Sequence, residues 1–272
     1  MSTSKKAAPK KTAPKKAAPQ PPQKFGFGWM PDLPDQRDLM YSAPMMVMKK
    51  LPAKVNLQSK CPPVYNQGAL GSCTANALSA AFEFSRKKQK LKDFMPSRLF
   101  LYYNERALQN TVNSDSGAYI RDGIKTLNVN GICPEKEWPY IIEKFAEKPP
   151  QKCYDDAVVC TIKSYQRLMN TNLAQLKSCL SEGFPFVFGF TVYESFESQE
   201  VAETGMLSMP KPDEKVIGGH AVMAVGYDDS RNVFIIRNSW GKGWGVKGYF
   251  YMPYSYITSN NLCDDFWTIR IV

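Results

Sequence analysis

Around residue 180 the grammar of the chain changes, and that change restricts the folds open to it. Before it, apolar residues recur at helical spacing. Ala75, Leu78, Ala81 and Phe82, with alanines between them, predict a helix starting near Cys73 and running to about Lys88. Ser97 to Arg106 reads as a second, with Pro96 near its first turn, and Arg121 to Val129 as a third, ended by Asn130-Gly131. After it come short β-branched and aromatic runs at 184–193, 221–227, 233–237, 249–252 and 266–272, punctuated by Gly, Asp and Asn. Helices followed by strands, rather than alternating with them, predict an α+β fold with a helical half, a sheet or barrel half, and a cleft between them as the natural place for a site.

The 272 residues suffice for a substantial core. The net charge of +10 includes seven lysines and no acid in residues 1–24, so only about +3 belongs to the rest. That Lys/Ala/Pro tail has almost nothing to pack and is expected to be disordered, a solvated linker or a handle for nucleic acid or an anionic surface. No apolar run approaches a membrane span and no secretory signal is visible, which favours a cytoplasmic or virion-associated monomer over a secreted one. Residues 25–48 have no helical or alternating period but carry Phe25, Phe27, Trp29, Leu33, Leu39 and Tyr41, too apolar to remain solvated. They read as an extended arm that must lie on something.

The single histidine, His220, follows two glycines at the head of an apolar strand, and Arg237-Asn238-Ser239-Trp240-Gly241 follows downstream. Cys73 stands just after Gly71, at the head of the Ala-rich helix. A thiol nucleophile needs an imidazole to exchange its proton and an amide oxygen to orient that imidazole, and Cys73, His220 and Asn238 are those three types. The helix N-terminus together with an imidazolium predicts a depressed thiol pKa. Gln67, six residues before the cysteine, can donate a side-chain N–H to an oxyanion beside the Cys73 backbone N–H. One histidine and no Cys-x2-Cys pair offer no familiar metal spacing, so no metal or cofactor is expected.

In family order, Gln-x5-Cys, Gly-His before a strand, Asn-Ser-Trp-Gly, and the later Gly243-Trp244-Gly245 and Gly248-Tyr249 resemble the papain family of cysteine proteases over residues 51–272. The resemblance implies a two-lobe fold, with the helical lobe mainly at 70–155 and the β lobe mainly at 156–272. It implies an endopeptidase acting on peptides or proteins through a thioester. Trp240 would shield the His–Asn contact, and Ser116, Gly117, Ala118 and Gly219 would bind substrate. Leu70 and Thr74 depart from the family's signature around the nucleophile, whereas Cys61-Pro62-Pro63-Val64-Tyr65-Asn66-Gln67, Ser97-Arg98-Leu99-Phe100 and Trp138-Pro139-Tyr140 look more like its bacterial and large-virus branch, of which xylellain is a member. A loop closed by Cys133 and Cys153 is implied on the helical side, as a disulfide in an oxidising compartment or as two thiols in a reducing one. A mature start near Lys49-Lys50-Leu51 would leave the arm as a short propeptide-like segment, either gating the cleft or strapping the surface away from it. A non-proteolytic scaffold and an acyl or peptidyl transferase using the same thiol are the alternative functions.

Overall fold

The computed structural model describes residues 24–271, so the lysine-rich tail lies outside the described residues. Along the chain come β1 (Trp29–Met30), α1 (Met45–Met48), β2 (Lys54–Asn56), α2 (Cys73–Lys88), α3 (Arg98–Leu108), β3 (Ala118–Tyr119), α4 (Ile120–Val129), α5 (Gln151–Ala157), β4 (Ser164–Arg167) and α6 (Leu173–Ser181). Then follow β5 (Phe186–Tyr193), α7 (Gln199–Thr204), β6 (Val216–Asp228), β7 (Val233–Arg237), β8 (Tyr249–Pro253), α8 (Tyr254–Ile257) and β9 (Cys263–Arg270).

α2 is the central helix. Every residue from Cys73 to Ser85 is buried, because one face packs on β6 and the others on α3 and α4. Its alanines make that possible by letting neighbouring backbones approach without bulky side chains between them. α3 begins where the sequence signals a start: the Ser97 hydroxyl accepts the Phe100 N–H at 3.2 Å. α4 stops at Asn130, followed by Gly131 with φ +72°.

Seven strands form one antiparallel sheet in the order β4-β9-β5-β6-β7-β8, with β2 joining β6. β6 is its spine. At thirteen residues it pairs with β5 from Val216 to Ala224 and with β7 from Met223 to Asp228, the second ladder shifting register between Ala224 and Gly226. His220 lies opposite Phe190 in the first half.

The strand expectations survive, with β6 and β9 starting earlier because side-chain alternation does not register Gly218-Gly219 or Asp264-Asp265 as strand. α5, α6 and the short α7 escape the sequence reading. The arm departs from its expected extended path at one helical turn. It forms a two-residue parallel bridge to β3, Trp29 opposite Ala118, and one helical turn at Met45–Met48 whose side chains are not buried.

Candidate active site

Two elements meet where the sequence expects a site. The first turn of α2 brings Cys73, and β6 brings His220, whose neighbour Ala221 presents its backbone N–H to the Cys73 sulfur. On the adjoining strand end, Asn238 Oδ1 stands 2.8 Å from His220 Nε2 and accepts the Ser239 N–H at 2.8 Å. That second bond fixes the amide orientation. Nε2 therefore carries the imidazole proton, and Nδ1, which has no hydrogen-bond partner, keeps its lone pair free. Trp240 lies over the imidazole with ring centroids 5.1 Å apart, and Phe190 and Phe196 complete an apolar box around it.

Gln67 is fully buried and its amide is oriented by a residue the sequence reading quoted without giving it a role. The Ser239 hydroxyl donates to Gln67 Oε1 at 2.6 Å, which turns Nε2 toward the cleft. Behind it, Tyr140 donates to the Gln67 carbonyl at 3.0 Å and shares a hydrogen bond with Ser72 at 2.5 Å. Asp115, bonded to Tyr102, accepts the Gly71 N–H at 3.0 Å and ties the loop before Cys73 to the 115–118 loop. Neither Tyr102 nor Asp115 carried a sequence signal of its own.

The arm fills the cleft. Its Gly26 carbonyl accepts Gln67 Nε2 at 2.9 Å, the Gly28 N–H reaches both the Gly219 carbonyl at 3.1 Å and the Cys73 sulfur, and the Gly28 carbonyl accepts the Ala118 N–H at 2.7 Å. Phe25 stacks on Trp240 at 4.4 Å, and Phe27 stands edge-on to His220 at 6.1 Å. Trp29 is buried against Gly189 and Gly219, and its indole N–H donates to Asp265 at 3.0 Å. Beyond it Asp32 accepts from Trp267 and from the Arg121 backbone, and Asp38 pairs with Arg121 and Arg167. Phe25-Gly26-Phe27-Gly28-Trp29 thus alternates aromatic and glycine. A Cβ on Gly28 would fall within the Gly71 carbonyl, and one on Gly117 within that of Gly28. Of the expected substrate-binding residues, Gly219, Ala118 and Trp240 touch the arm directly, and Gly117 lies against its backbone. Ser116 does not join them; its hydroxyl bonds Thr111 and the Gly117 carbonyl.

Burial under this cover reverses one expectation. Desolvation pushes the Cys73 thiol up to about 11, against the hydrogen bonds from Ala221, Gly28 and Thr74 that favour the thiolate. It also pushes His220 down to about 4, against the opposing pull of Asn238. The covered pair is therefore a neutral thiol and a neutral imidazole, not the depressed thiolate that the helix terminus alone suggests. All seven cysteines are free thiols, Cys133 and Cys153 included.

Residues 51–264 match the family model described as papain family cysteine protease. The chain belongs to the papain family. As a member of it, the chain is a cysteine protease, a hydrolase, with the α+β papain-like fold of a helical part and an antiparallel sheet. It is 46% identical to xylellain, a cysteine protease from Xylella fastidiosa, over 94% of this chain and all of that structure, with a TM-score of 0.87. It is 43% identical to a peptidase C1-like protein of Acanthamoeba polyphaga mimivirus, over 90% of this chain and 87% of the relative. With mouse pro-cathepsin H it shares 30% identity over 69% of its own length, spanning 55% of that relative. Protein substrates follow from this membership, and among the described residues no helix is long and apolar enough to cross a membrane.

Proposed function

We propose that this papain-family protease is an endopeptidase whose reacting groups are Cys73, His220, Asn238 and Gln67, and that residues 25–30 hold it latent. The proton of the Cys73 thiol passes to His220 Nδ1, and the thiolate attacks the substrate carbonyl carbon. The oxyanion takes N–H donors from Gln67 Nε2 and the Cys73 backbone. His220 returns the proton to the leaving amine as the C–N bond breaks, leaving a thioester. Water then attacks that thioester, with His220 removing its proton, and releases the acid and the thiol. Asn238 keeps Nε2 protonated throughout, so that Nδ1 is always the exchanging atom.

The observation that carries the latent state is the register of the arm. The carbonyl on Gln67 Nε2 belongs to Gly26, whereas the group on the Cys73 sulfur is the N–H of Gly28. The peptide that faces the thiol, Phe27–Gly28, is one unit past the peptide whose carbonyl reaches Gln67, so no single carbonyl is aligned with both the sulfur and the oxyanion donor. The arm therefore occupies the site as an inhibitor does, without being cut. By excluding water it also removes the solvation that the thiolate–imidazolium pair needs. Moving the arm away restores both access and charge separation. A thiol-directed epoxide tests this, since Cys73 should react slowly in the full chain and quickly once residues 1–48 are removed from a protein that remains folded. Equal rates would leave the arm a strap with no control over the site.

Gln67→Ala is expected to lower kcat/KM on a small peptide by about 10- to 1000-fold, the range for one oxyanion donor. Ser239→Ala should lose less, because Gln67 stays in place and only its amide orientation is freed. Steady-state kinetics with KM unchanged and kcat reduced is the expected signature for both. A Gln67→Ala protein with the kcat of the parent would remove Gln67 from the oxyanion site.

A further inference from the structure

On the helical side, behind the cleft, the side chains of Cys133, Glu137 and Cys153 converge so that their two sulfurs and a carboxylate oxygen lie within 4.8 Å of one another. Cys133 and Cys153 are buried. The carboxylate oxygen Glu137 Oε2 is buried with no hydrogen-bond partner, and the best acceptor the Cys153 thiol finds outside the cluster is the Glu137 backbone carbonyl at 3.8 Å. Two thiols and an orphaned carboxylate oxygen in one small space leave polar groups unsatisfied. A disulfide would join the sulfurs but leave the carboxylate oxygen as it is.

We propose that Cys133, Cys153 and Glu137 form a structural site for a divalent cation of the zinc class. Ligand atoms about 2.0 to 2.3 Å from one tetrahedral ion stand about 3.3 to 3.8 Å apart, so a cluster within 4.8 Å closes on an ion with side-chain shifts of up to about 1 Å. Paired thiolates select a borderline-soft ion over magnesium or calcium. Binding releases the two thiol protons to solvent and forms two metal–sulfur bonds and one metal–oxygen bond. The fourth position falls to water from the surface groove lined by Glu137, Lys136 and Asp156. Three anionic ligands around a doubly charged ion leave one negative charge, which Lys136 and Lys152 face beside the Asp156 carboxylate that pairs with Lys152.

The consequence reaches the cleft. Cys133 and Glu137 belong to the segment that continues through Trp138 to Tyr140, the residue that backs Gln67 and Ser72. In the same segment Glu135 pairs with Arg98 at the start of α3, and the Ser97 hydroxyl donates to the Trp138 carbonyl at 2.6 Å. An ion that ties this segment to Cys153 on α5 braces the support of the oxyanion donor from behind. The sequence gives no familiar spacing for it, because its ligands are Cys133-x3-Glu137 and a cysteine sixteen residues further on.

The test is cobalt(II) titration of the reduced full chain carrying Cys73→Ala, which removes the thiol of the cleft. Sulfur-to-cobalt absorption in the near ultraviolet and visible ligand-field bands should saturate at one ion per chain. Both should vanish in Cys133→Ser and Cys153→Ser, weaken on the order of 10- to 100-fold in affinity in Glu137→Gln, and persist in Cys179→Ser. Zinc should raise the melting temperature of the parent chain but not of the cysteine variants. Glu137→Gln keeps the test alive if a cysteine variant fails to fold. The site is overturned if a folded protein with Cys133 and Cys153 titrating as free thiols binds no cobalt, or if the bands survive Cys133→Ser. It is likewise overturned if protein purified without reductant carries a Cys133–Cys153 disulfide.

Discussion

Trp29→Ala is expected to raise the rate at which an epoxide labels Cys73 by two to three and a half orders of magnitude. The indole is buried where Gly189 and Gly219 leave room for it, and it donates its N–H to the Asp265 carboxylate. Truncating a buried tryptophan to alanine costs about 3–5 kcal/mol. Here that cost falls on arm docking, because Trp29 touches no residue assigned to the reaction other than through Gly219. With 1.4 kcal/mol per tenfold, the docking equilibrium constant drops by roughly 140- to 4000-fold, and the accessible fraction of the thiol rises in proportion while the arm remains mostly docked. The second-order labelling rate, read by peptide mass, checks it. A rate equal to that of the parent chain would mean that access to Cys73 does not depend on the arm.

Cys73→Ala is expected to have the larger effect, a loss of turnover on the order of 10⁶-fold, since the thiol and imidazole act as one unit and removing either removes nearly all of it. The fold should survive. Alanine keeps the helix start and takes the sulfur acceptor from the backbone N–H groups of Ala221 and Thr74, a cost of about 1–3 kcal/mol for each one left unpaired, while the Gly28 N–H keeps the Gly219 carbonyl. Peptide hydrolysis at high enzyme concentration measures the residue of activity, and thermal unfolding reports the fold. Hydrolysis within about a thousandfold of the parent would call for another nucleophile.

Much of the geometry of the site was legible in the sequence because the proposed chemistry rests on scarce residue types. One histidine, one Asn-Ser-Trp and one thiol between glycines and an alanine-rich helix leave few ways to assemble a nucleophile, and the structure brings Cys73, His220, Asn238 and Gln67 to one cleft. The alternation of β5 and β7 and the helical period of α2 survive because each packs one clear apolar face. α5 and α6 did not register, since their short, mixed sequences take their helical state from packing rather than from periodicity. The protonation of the pair was not legible either. The helix terminus is visible in the sequence, but the desolvation that outweighs it comes from burial in the folded cleft, where Phe27, from a segment some 45 residues earlier in the chain, lies edge-on to His220. Likewise, Ser239, Asp115 and Asp265 are ordinary polar residues until tertiary contact gives each a partner.

The glycines of the arm also bear on heredity. Gly28 lies so close to the Gly71 carbonyl that a single methyl group would unseat the segment, and a methyl group on Gly26 would come within 2.4 Å of the Leu70 backbone. Glycine and alanine codons differ by one base. On the proposed reading of the arm, a protease freed from its own restraint is therefore one point mutation away from this chain, and that mutation would touch none of the groups proposed to cut. Restraint and cutting can be inherited, lost and selected separately, although they share one cleft.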